Sequence, residues 1–186
     1  MLVKMLFAGS GGQGVLTIAE ILGNAAMLED YNVTYLPAYG AAMRGGTANC
    51  TLSISDIEIA SPITSTPDIL ISMNQPSVLA FINSIRSGGQ LIYNSAIVDT
   101  IPPRRDIDIF PVPANEIAME ISNPRSANMI ILASAVKLIN IIKIETVYKS
   151  VEMLMGSKKK AVESVIKALA EGYARFSFNN PVVNFF

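Results

Sequence analysis

The chain has 186 residues, of which 51% are hydrophobic and only 16% charged, with a formal net charge of −1 at pH 7. This length suits one domain, or one domain with a helical extension, and the near-neutral charge balance gives no electrostatic footprint for nucleic acid. A mean hydropathy of +0.41 leaves two explanations, a membrane span or large surfaces buried against partner chains. The most apolar stretch, residues 129–142, is interrupted by Ser134, Lys137 and Asn140. It falls short of the roughly 18 apolar residues that a span needs, so partner surfaces are favoured and no membrane is expected.

Residue types that dominate catalytic and metal sites are nearly absent. The chain contains no histidine, which excludes a histidine-based triad and imidazole metal ligands. Cys50 is the sole cysteine, so the chain does not contain the four thiolates that hold an iron–sulfur cluster and forms no internal disulfide. A free thiol fits a reducing compartment, and a cytoplasmic location is expected.

Hydrophobic periodicity predicts strands first alternating with helices and then giving way to them. Strands are predicted at residues 3–8, 32–36, 47–55, 68–73, 90–94 and 107–110, with 57–60 as a candidate hairpin continuation of the third. Helices are predicted at residues 15–28, 76–86, 114–121, 127–139, 145–153 and 158–176.

This order favours an α/β fold, a three-layer sandwich in which a mostly parallel mixed sheet is flanked by helices. Strict alternation along residues 47–55 indicates a half-buried strand, so part of the sheet is expected to be antiparallel. One domain is predicted over residues 1–178. Residues 179–186 form a tail that is expected to be disordered or docked on a partner.

A glycine loop follows the first predicted strand, in a Rossmann-like strand–turn–helix unit. Gly9, Gly11 and Gly14 satisfy the pattern G-x-G-x-x-G, in which glycines allow a tight turn and the helix N-terminus favours an anion. At least one of Gly11 and Gly12 is expected to take a backbone conformation that is costly for other residues. Gly14 is expected to let the helix approach the sheet. The Gln13 side chain is expected to be free to point at a ligand or partner.

Three interpretations of this loop stay open. A dinucleotide site needs an acid about 20 residues on, at the end of the second strand, and residues 34–38 contain none. The second interpretation is a site for a phosphate-bearing or partner-bound anionic ligand. The third is a purely structural turn.

Three polar side chains elsewhere are candidates for a ligand site. Arg44 stands among small residues in 37–46, where its guanidinium has room to fork onto a carboxylate or phosphate or to bind loop carbonyls. Asn74 and Asn94 follow two predicted strands, where ligands gather in open α/β sheets. Capping of a helix or turn is the alternative use of both asparagines.

Together these segments resemble the gamma subunit of 2-oxoacid:ferredoxin oxidoreductases, most of all the 2-oxoglutarate type. The resemblance runs from residue 4 to about residue 175. It is carried by the segments 9–15, 39–40, 43–50, 54–56, 60–62, 73–77, 88–89, 94–95, 123–125 and 128–129.

The resemblance implies a subunit of a complex that decarboxylates a 2-oxo acid and passes electrons to ferredoxin, releasing an acyl-coenzyme A. Implied partners are an alpha subunit, a thiamine-binding beta subunit, a ferredoxin-like delta subunit and ferredoxin itself. Thiamine diphosphate and the iron–sulfur clusters belong to the partner subunits, and coenzyme A is expected at the subunit interface. The isolated chain, for which a homodimer is one expected form, is predicted to be inactive.

No catalytic residue and no metal ligand is assigned to this chain. The alternative functions are a structural assembly module with a vestigial glycine loop and a free-standing dinucleotide-binding oxidoreductase. The residues expected at a cofactor site are Gly9, Gly11, Gly12, Gln13, Gly14, Tyr39, Arg44, Gly45, Gly46, Asn74, Asn94 and Asn128.

Overall fold

A six-stranded mixed sheet forms the centre of the described part of the protein. The structure, a computed structural model, describes residues 1–38, 47–61, 65–156 and 158–177. The strands are β1 (Leu2–Ser10), β2 (Asn32–Ala38), β3 (Thr47–Ser55), β4 (Ile69–Ser72), β5 (Gln90–Asn94) and β6 (Asp108–Val112). Their spatial order is β2-β3-β1-β4-β5-β6. β3 is antiparallel to both of its neighbours, whereas β1, β4, β5 and β6 pair in parallel.

Helices cover both faces of this sheet. They are α1 (Val15–Leu28), α2 (Gln75–Phe81), α3 (Ala114–Glu120), α4 (Ala127–Ile139), α5 (Ile144–Met155) and α6 (Lys159–Arg175), with short 3-10 turns at Ile82–Ser84 and Pro124–Ser126. Side chains alternate along β1, so that Met5 and Phe7 join the core beneath α1 and α3–α6, while Leu6 and Ala8 join a smaller core beneath α2. The predicted three-layer arrangement is therefore confirmed.

The most apolar stretch of the sequence lies inside the larger layer. All residues of α4 from Met129 to Val136 are buried, because the helix packs on β5, α1, α3 and α6. A Cβ atom at Gly172 of α6 would stand 2.8 Å from the backbone of Ile130, so glycine is what lets α6 lie flush on α4. Among the described residues, no helix is both long enough and apolar enough to cross a membrane.

β3 is antiparallel, as predicted, and it has the predicted bounds. β3 alternates as expected up to Leu52, but Ser53 and Ser55 are each 1% exposed, so its last residues are buried on both faces. The hairpin expected at residues 57–60 is wrong. The Ser55 hydroxyl donates to Met1 O (2.8 Å) and accepts from Ile57 N (3.1 Å), which turns the chain away and leaves Ile57 69% exposed.

The helix predicted at residues 76–86 is shorter than expected. α2 ends at Phe81 and continues as the 3-10 turn Ile82–Ser84. Arg104 binds the carbonyl oxygens of Ile82 (2.8 Å) and Ile85 (3.1 Å), a use of arginine at a helix end that satisfies carbonyls without intrahelical partners.

We predict that Cys50 is inert toward thiol reagents in the folded chain. Burial raises the pKa of its thiol to about 12, and its sulfur lies under α1 with Val15 O as acceptor at 4.0 Å. The reactive thiolate is therefore scarce at pH 8, whereas an unfolded cysteine has a pKa of about 8.5. Ellman's reagent should label one thiol per chain in denaturant and almost none without it. Rapid stoichiometric labelling of the folded chain would contradict the buried position.

Candidate functional site

The glycine loop joins the end of β1 to the start of α1. After Ser10 the chain turns through residues 11–13, with Gln13 N donating to Ser10 O at 3.1 Å. Gly12 has φ +92° and Gly14 has φ +74°, conformations that glycine adopts without steric cost. The expectation that Gly11 or Gly12 takes such a conformation is confirmed at Gly12.

Gly9, and not Gly14, allows the close approach between strand and helix. A Cβ atom at Gly9 would stand 2.8 Å from both Gln13 Oε1 and Val15 Cγ1, and 3.1 Å from Met73 Cβ. The role predicted for Gly14 in packing the helix on the sheet is therefore wrong. A Cβ atom at Gly14 would instead collide with Asn128 Nδ2 of α4, so this glycine brings two helices together.

The Gln13 side chain is engaged within the loop, and the prediction that it is free is wrong. Its Oε1 accepts from Ser10 N (2.7 Å) and from Asn74 Nδ2 (3.0 Å), and its Nε2 donates to Met73 O (3.4 Å). The physical reason lies in the sheet, because β4 ends at Ser72, opposite Ala8. The Ser10 N–H therefore has no partner on β4, and Gln13 provides one.

Asn74 lies beside the loop, as expected for a residue that follows a strand next to β1. Its Nδ2 donates to Ser10 Oγ (2.7 Å) and to Gln13 Oε1, and its Oδ1 accepts from Ser77 N (3.0 Å) as the N-cap of α2. The residue is 6% exposed. Asn74 therefore combines the two uses left open by the sequence, since it caps a helix and also contacts the loop.

Asn94 has a different environment. It is fully buried, donates to Asn115 Oδ1 (2.9 Å) and accepts from Ala96 N (3.3 Å). Since β4 separates its strand from β1, the end of β5 lies about 10 Å from the end of β1 at ordinary strand spacing. The described hydrogen bonds of Asn94 are those of a turn cap, and the structure does not bring it to the glycine loop.

The N-terminus of α4 meets that of α1 where Asn128 contacts Gly14. Neither helix has a side-chain N-cap or an acidic residue in its first turn, whereas α3 and α5 carry Glu116 and Glu145 there. The first intrahelical bond of α1 runs from Ile18 N to Gly14 O, so the N–H groups of residues 15–17 have no intrahelical acceptor. The starts of the two helices, each carrying the positive end of a helix dipole, therefore lie side by side, and neither has a carboxylate in its first turn.

Sequence reasoning did not single out Ser10 and Arg125. Ser10 contributes both its N–H and its hydroxyl to the Gln13–Asn74 network. Arg125 is exposed, stands three residues before Asn128, and has no hydrogen bond or ion pair with any other described residue. An arginine just before a predicted helix was the available signal for it. Four other expected site residues, Tyr39, Arg44, Gly45 and Gly46, lie outside the described residues.

The order of the strands also differs from the order found at a dinucleotide site. In a Rossmann unit the second strand lies directly beside the first, and its acid reaches the ribose. Here the antiparallel strand β3 is inserted between β1 and β2. The end of β2 is thus two strand spacings from β1, in addition to carrying no acid.

Comparisons with known sequences give a consistent family. The family model described as pyruvate ferredoxin/flavodoxin oxidoreductase matches residues 4–175. Ketoisovalerate oxidoreductase subunit VorA of Methanothermobacter marburgensis is 35% identical over 171 residues, which covers 91% of this chain and 36% of that protein. The 2-oxoglutarate synthase subunit KorC of Methanocaldococcus jannaschii is 31% identical over 173 residues, which covers 91% of both chains. The chain thus spans about a third of the length of the VorA relatives.

Solved structures confirm the fold. The gamma subunit of a keto/oxoacid ferredoxin oxidoreductase from Geobacter sulfurreducens superimposes with a TM-score of 0.79 at 24% identity, covering 92% of this chain and 96% of that one. The 2-oxoglutarate:ferredoxin oxidoreductase from Magnetococcus marinus, solved with 2-oxoglutarate, coenzyme A and succinyl-CoA, gives a TM-score of 0.87 at 21% identity. That match covers 99% of this chain and 32% of the other.

We predict that the cost of a side chain at Gly14 depends on Asn128. Gly14→Ala should lower the free energy of unfolding by about 1–2 kcal/mol because of its positive φ, and further because the methyl group displaces the Asn128 amide. In an Asn128→Ala background this second part should vanish, giving a coupling of about 0.5 kcal/mol or more in a double-mutant cycle.

Gly12→Ala is the matched control for this cycle. Gly12 also has a positive φ, but a Cβ atom there would meet nothing within 4 Å. Its cost, measured by urea unfolding, should be the same with and without Asn128→Ala. Additive effects of Gly14→Ala and Asn128→Ala would show that the two helix N-termini do not touch as described.

Proposed function

The chain belongs to the pyruvate ferredoxin/flavodoxin oxidoreductase family, and we propose that it is the gamma subunit of a 2-oxoacid:ferredoxin oxidoreductase. The complex would convert a 2-oxo acid and coenzyme A to an acyl-coenzyme A, with electrons passing to ferredoxin. The observation that carries this proposal is the match to the KorC subunit over 91% of both chains. The other partners proposed are an alpha subunit, a thiamine-binding beta subunit and a ferredoxin-like delta subunit.

Two relatives bear on the choice of 2-oxo acid. Our proposal is 2-oxoglutarate, because the KorC relative matches over nearly its entire length. Ketoisovalerate is the second candidate, because VorA has the higher identity, 35% against 31%. Turnover of the purified complex with 2-oxoglutarate, ketoisovalerate and pyruvate as alternative substrates distinguishes them.

In this proposal the glycine loop holds a phosphate portion of coenzyme A at the subunit interface. Phosphates bind at helix N-termini, where N–H groups without acceptors and the helix dipole favour negative charge. The α1 end offers such N–H groups, residues 9–17 contain no carboxylate, and the neighbouring start of α4, which has no acidic residue in its first turn, adds a second dipole. Arg125 provides a cation at the same end of α4. Coenzyme A supplies the thiol that accepts the acyl group.

The redox and decarboxylation chemistry is assigned to the partner subunits. With the pKa of Cys50 raised to about 12 and its sulfur buried, the only thiol of the chain is unsuited to act as a nucleophile or an iron ligand. The chain's own contribution is therefore to bind and orient an anionic ligand. A free cysteine also fits our proposal that the complex works in a reducing, cytoplasmic compartment.

The function is tested by isolating the complex through this chain and comparing its activity with that of the chain alone. We expect the affinity-tagged chain to co-purify from native extract with the thiamine-binding and iron–sulfur subunits, and the complex to reduce methyl viologen only when both a 2-oxo acid and coenzyme A are present. The chain alone should be inactive. A native preparation in which the tagged chain is monomeric, with none of these subunits, would contradict the proposal.

The loop's role is tested by placing a carboxylate in it. Thr17 is the third residue of α1 and is exposed, so Thr17→Glu should leave folding intact or slightly stabilised by the helix dipole. The same charge should repel a phosphate at the helix N-terminus. We expect KM and Kd for coenzyme A to rise about tenfold, equivalent to about 1.4 kcal/mol, without a matching change in KM for the 2-oxo acid.

Thr146→Glu is the matched control, since Thr146 is the third residue of α5. It introduces the same group at the same helical position, on a helix that already has Glu145 in its first turn. The affinity for coenzyme A should stay at the wild-type value. Equal effects of the two variants, or none from Thr17→Glu, would count against a phosphate site at the glycine loop.

A further inference from the structure

The glycine loop is held in place by a side chain from another strand. Asn74 follows β4, and among the described residues it is the side chain outside the β1–α1 unit that bonds to Ser10 and Gln13. Its position is itself fixed, because its Oδ1 accepts from Ser77 N and the Ser72 hydroxyl donates to its carbonyl oxygen at 3.1 Å. The loop is therefore tied to the frame formed by β4 and α2.

The hydrogen bond from Asn74 to Gln13 restrains the part of the loop with the greatest intrinsic backbone freedom. Gln13 stands between Gly12 and Gly14, both at positive φ, and glycines lose more conformational freedom on ordering than other residues. Fixing the Gln13 side chain restricts both neighbouring glycines. A ligand that binds a loop already in its bound conformation does not have to supply this ordering free energy.

We propose that Asn74 is a positioning residue for the ligand loop, holding Gln13 so that the N–H groups at the start of α1 are preorganised for an anion. This rests on the proposed function, in which that anion is a phosphate of coenzyme A. Asn74 need not touch the ligand, since its described hydrogen bonds run to the loop, to Ser77 and within its own turn. Its substitution is expected to weaken coenzyme A binding through Gln13.

A serine at position 74 separates the two roles of this asparagine. Serine is as good an N-cap as asparagine, so it retains an acceptor for Ser77 N and preserves the start of α2. Its hydroxyl is too short to reach Gln13 Oε1, which loses one of its two donors. Asn74→Ser should therefore change the loop while leaving the fold and the assembly intact.

Gln75→Ala is the control for loss of hydrogen bonds at the same place. The Gln75 side chain donates to Thr100 O (2.6 Å) and accepts from Asp99 N (3.0 Å) and Thr100 N (2.9 Å). None of these bonds reaches the glycine loop. A variant that acts only by loosening the start of α2 should resemble Gln75→Ala, whereas a positioning effect should be confined to Asn74→Ser.

The experiment uses the assembled complex and two readouts. Calorimetry with coenzyme A, in the absence of the 2-oxo acid, should give a Kd that is several-fold weaker in Asn74→Ser than in the wild type, and the KM for coenzyme A should rise by a similar factor. Hydrogen exchange in ligand-free complex should be several-fold faster for amides of residues 11–17 in this variant. In Gln75→Ala, the Kd for coenzyme A and the exchange rates of residues 11–17 should both equal the wild-type values.

The outcomes separate this inference from the function on which it rests. If Thr17→Glu weakens coenzyme A binding but Asn74→Ser changes neither Kd nor loop exchange, the positioning role is overturned alone. If neither variant alters Kd, the phosphate site fails and the positioning role with it. Should Asn74→Ser not assemble, Asn74→Asp keeps the cap and removes the donor. Its loop exchange should then be faster, and a wild-type rate would overturn the inference.

Discussion

The glycine loop depends on the two residues, Gly9 and Ser10, by which β1 extends beyond the end of β4. β4 ends at Ser72, opposite Ala8, while β1 continues to Ser10 along β3. The Ser10 N–H is left without a strand partner, and an unpaired N–H in a partly buried place costs free energy comparable to a lost hydrogen bond. The Gln13 side chain satisfies it by folding back, and this bond, with the bond from Gln13 N to Ser10 O, closes the turn that leads into α1.

A second consequence follows for the helix that starts there. Because Gly14 takes the N-cap position, no side chain caps α1, and a side chain at this position would collide with Asn128. The start of α4 can therefore approach, which places the N-termini of two helices next to each other. In a structural turn these N–H groups would ordinarily be capped by serine, threonine or aspartate. Among the described helices only α2 has a side-chain N-cap, so what sets the starts of α1 and α4 apart is that they lie next to each other.

The fold could be predicted from local patterns, since periodicity reports which face of an element is buried. β3 and β5 have their predicted bounds, and α4 starts and ends where its apolar spacing does. The hairpin after β3 could not be predicted, because a bond from Ser55 to Met1 decides the turn. The orientation of Gln13 depends likewise on Met73 and Asn74, about 60 residues away. A local sequence pattern contains no information about partners so far away along the chain. The sequence therefore indicated the loop, but not which of its side chains are already engaged in hydrogen bonds.

The high hydropathy of the chain has an internal explanation as well as an external one. α4 is buried along most of its length, and the sheet carries a core on each face, which together account for much of the apolar content. The exposed large apolar side chains are spread along the described chain, as single residues such as Ile57 and Met119 and as adjacent pairs such as Met153 and Leu154, and scattered exposed apolar residues are normal on protein surfaces. Composition alone is therefore a weaker indication of partner chains than family membership. In the function that we propose, the adjacent starts of α1 and α4 bind an anion, and the redox chemistry belongs to partner subunits, because this chain has one buried thiol and no histidine.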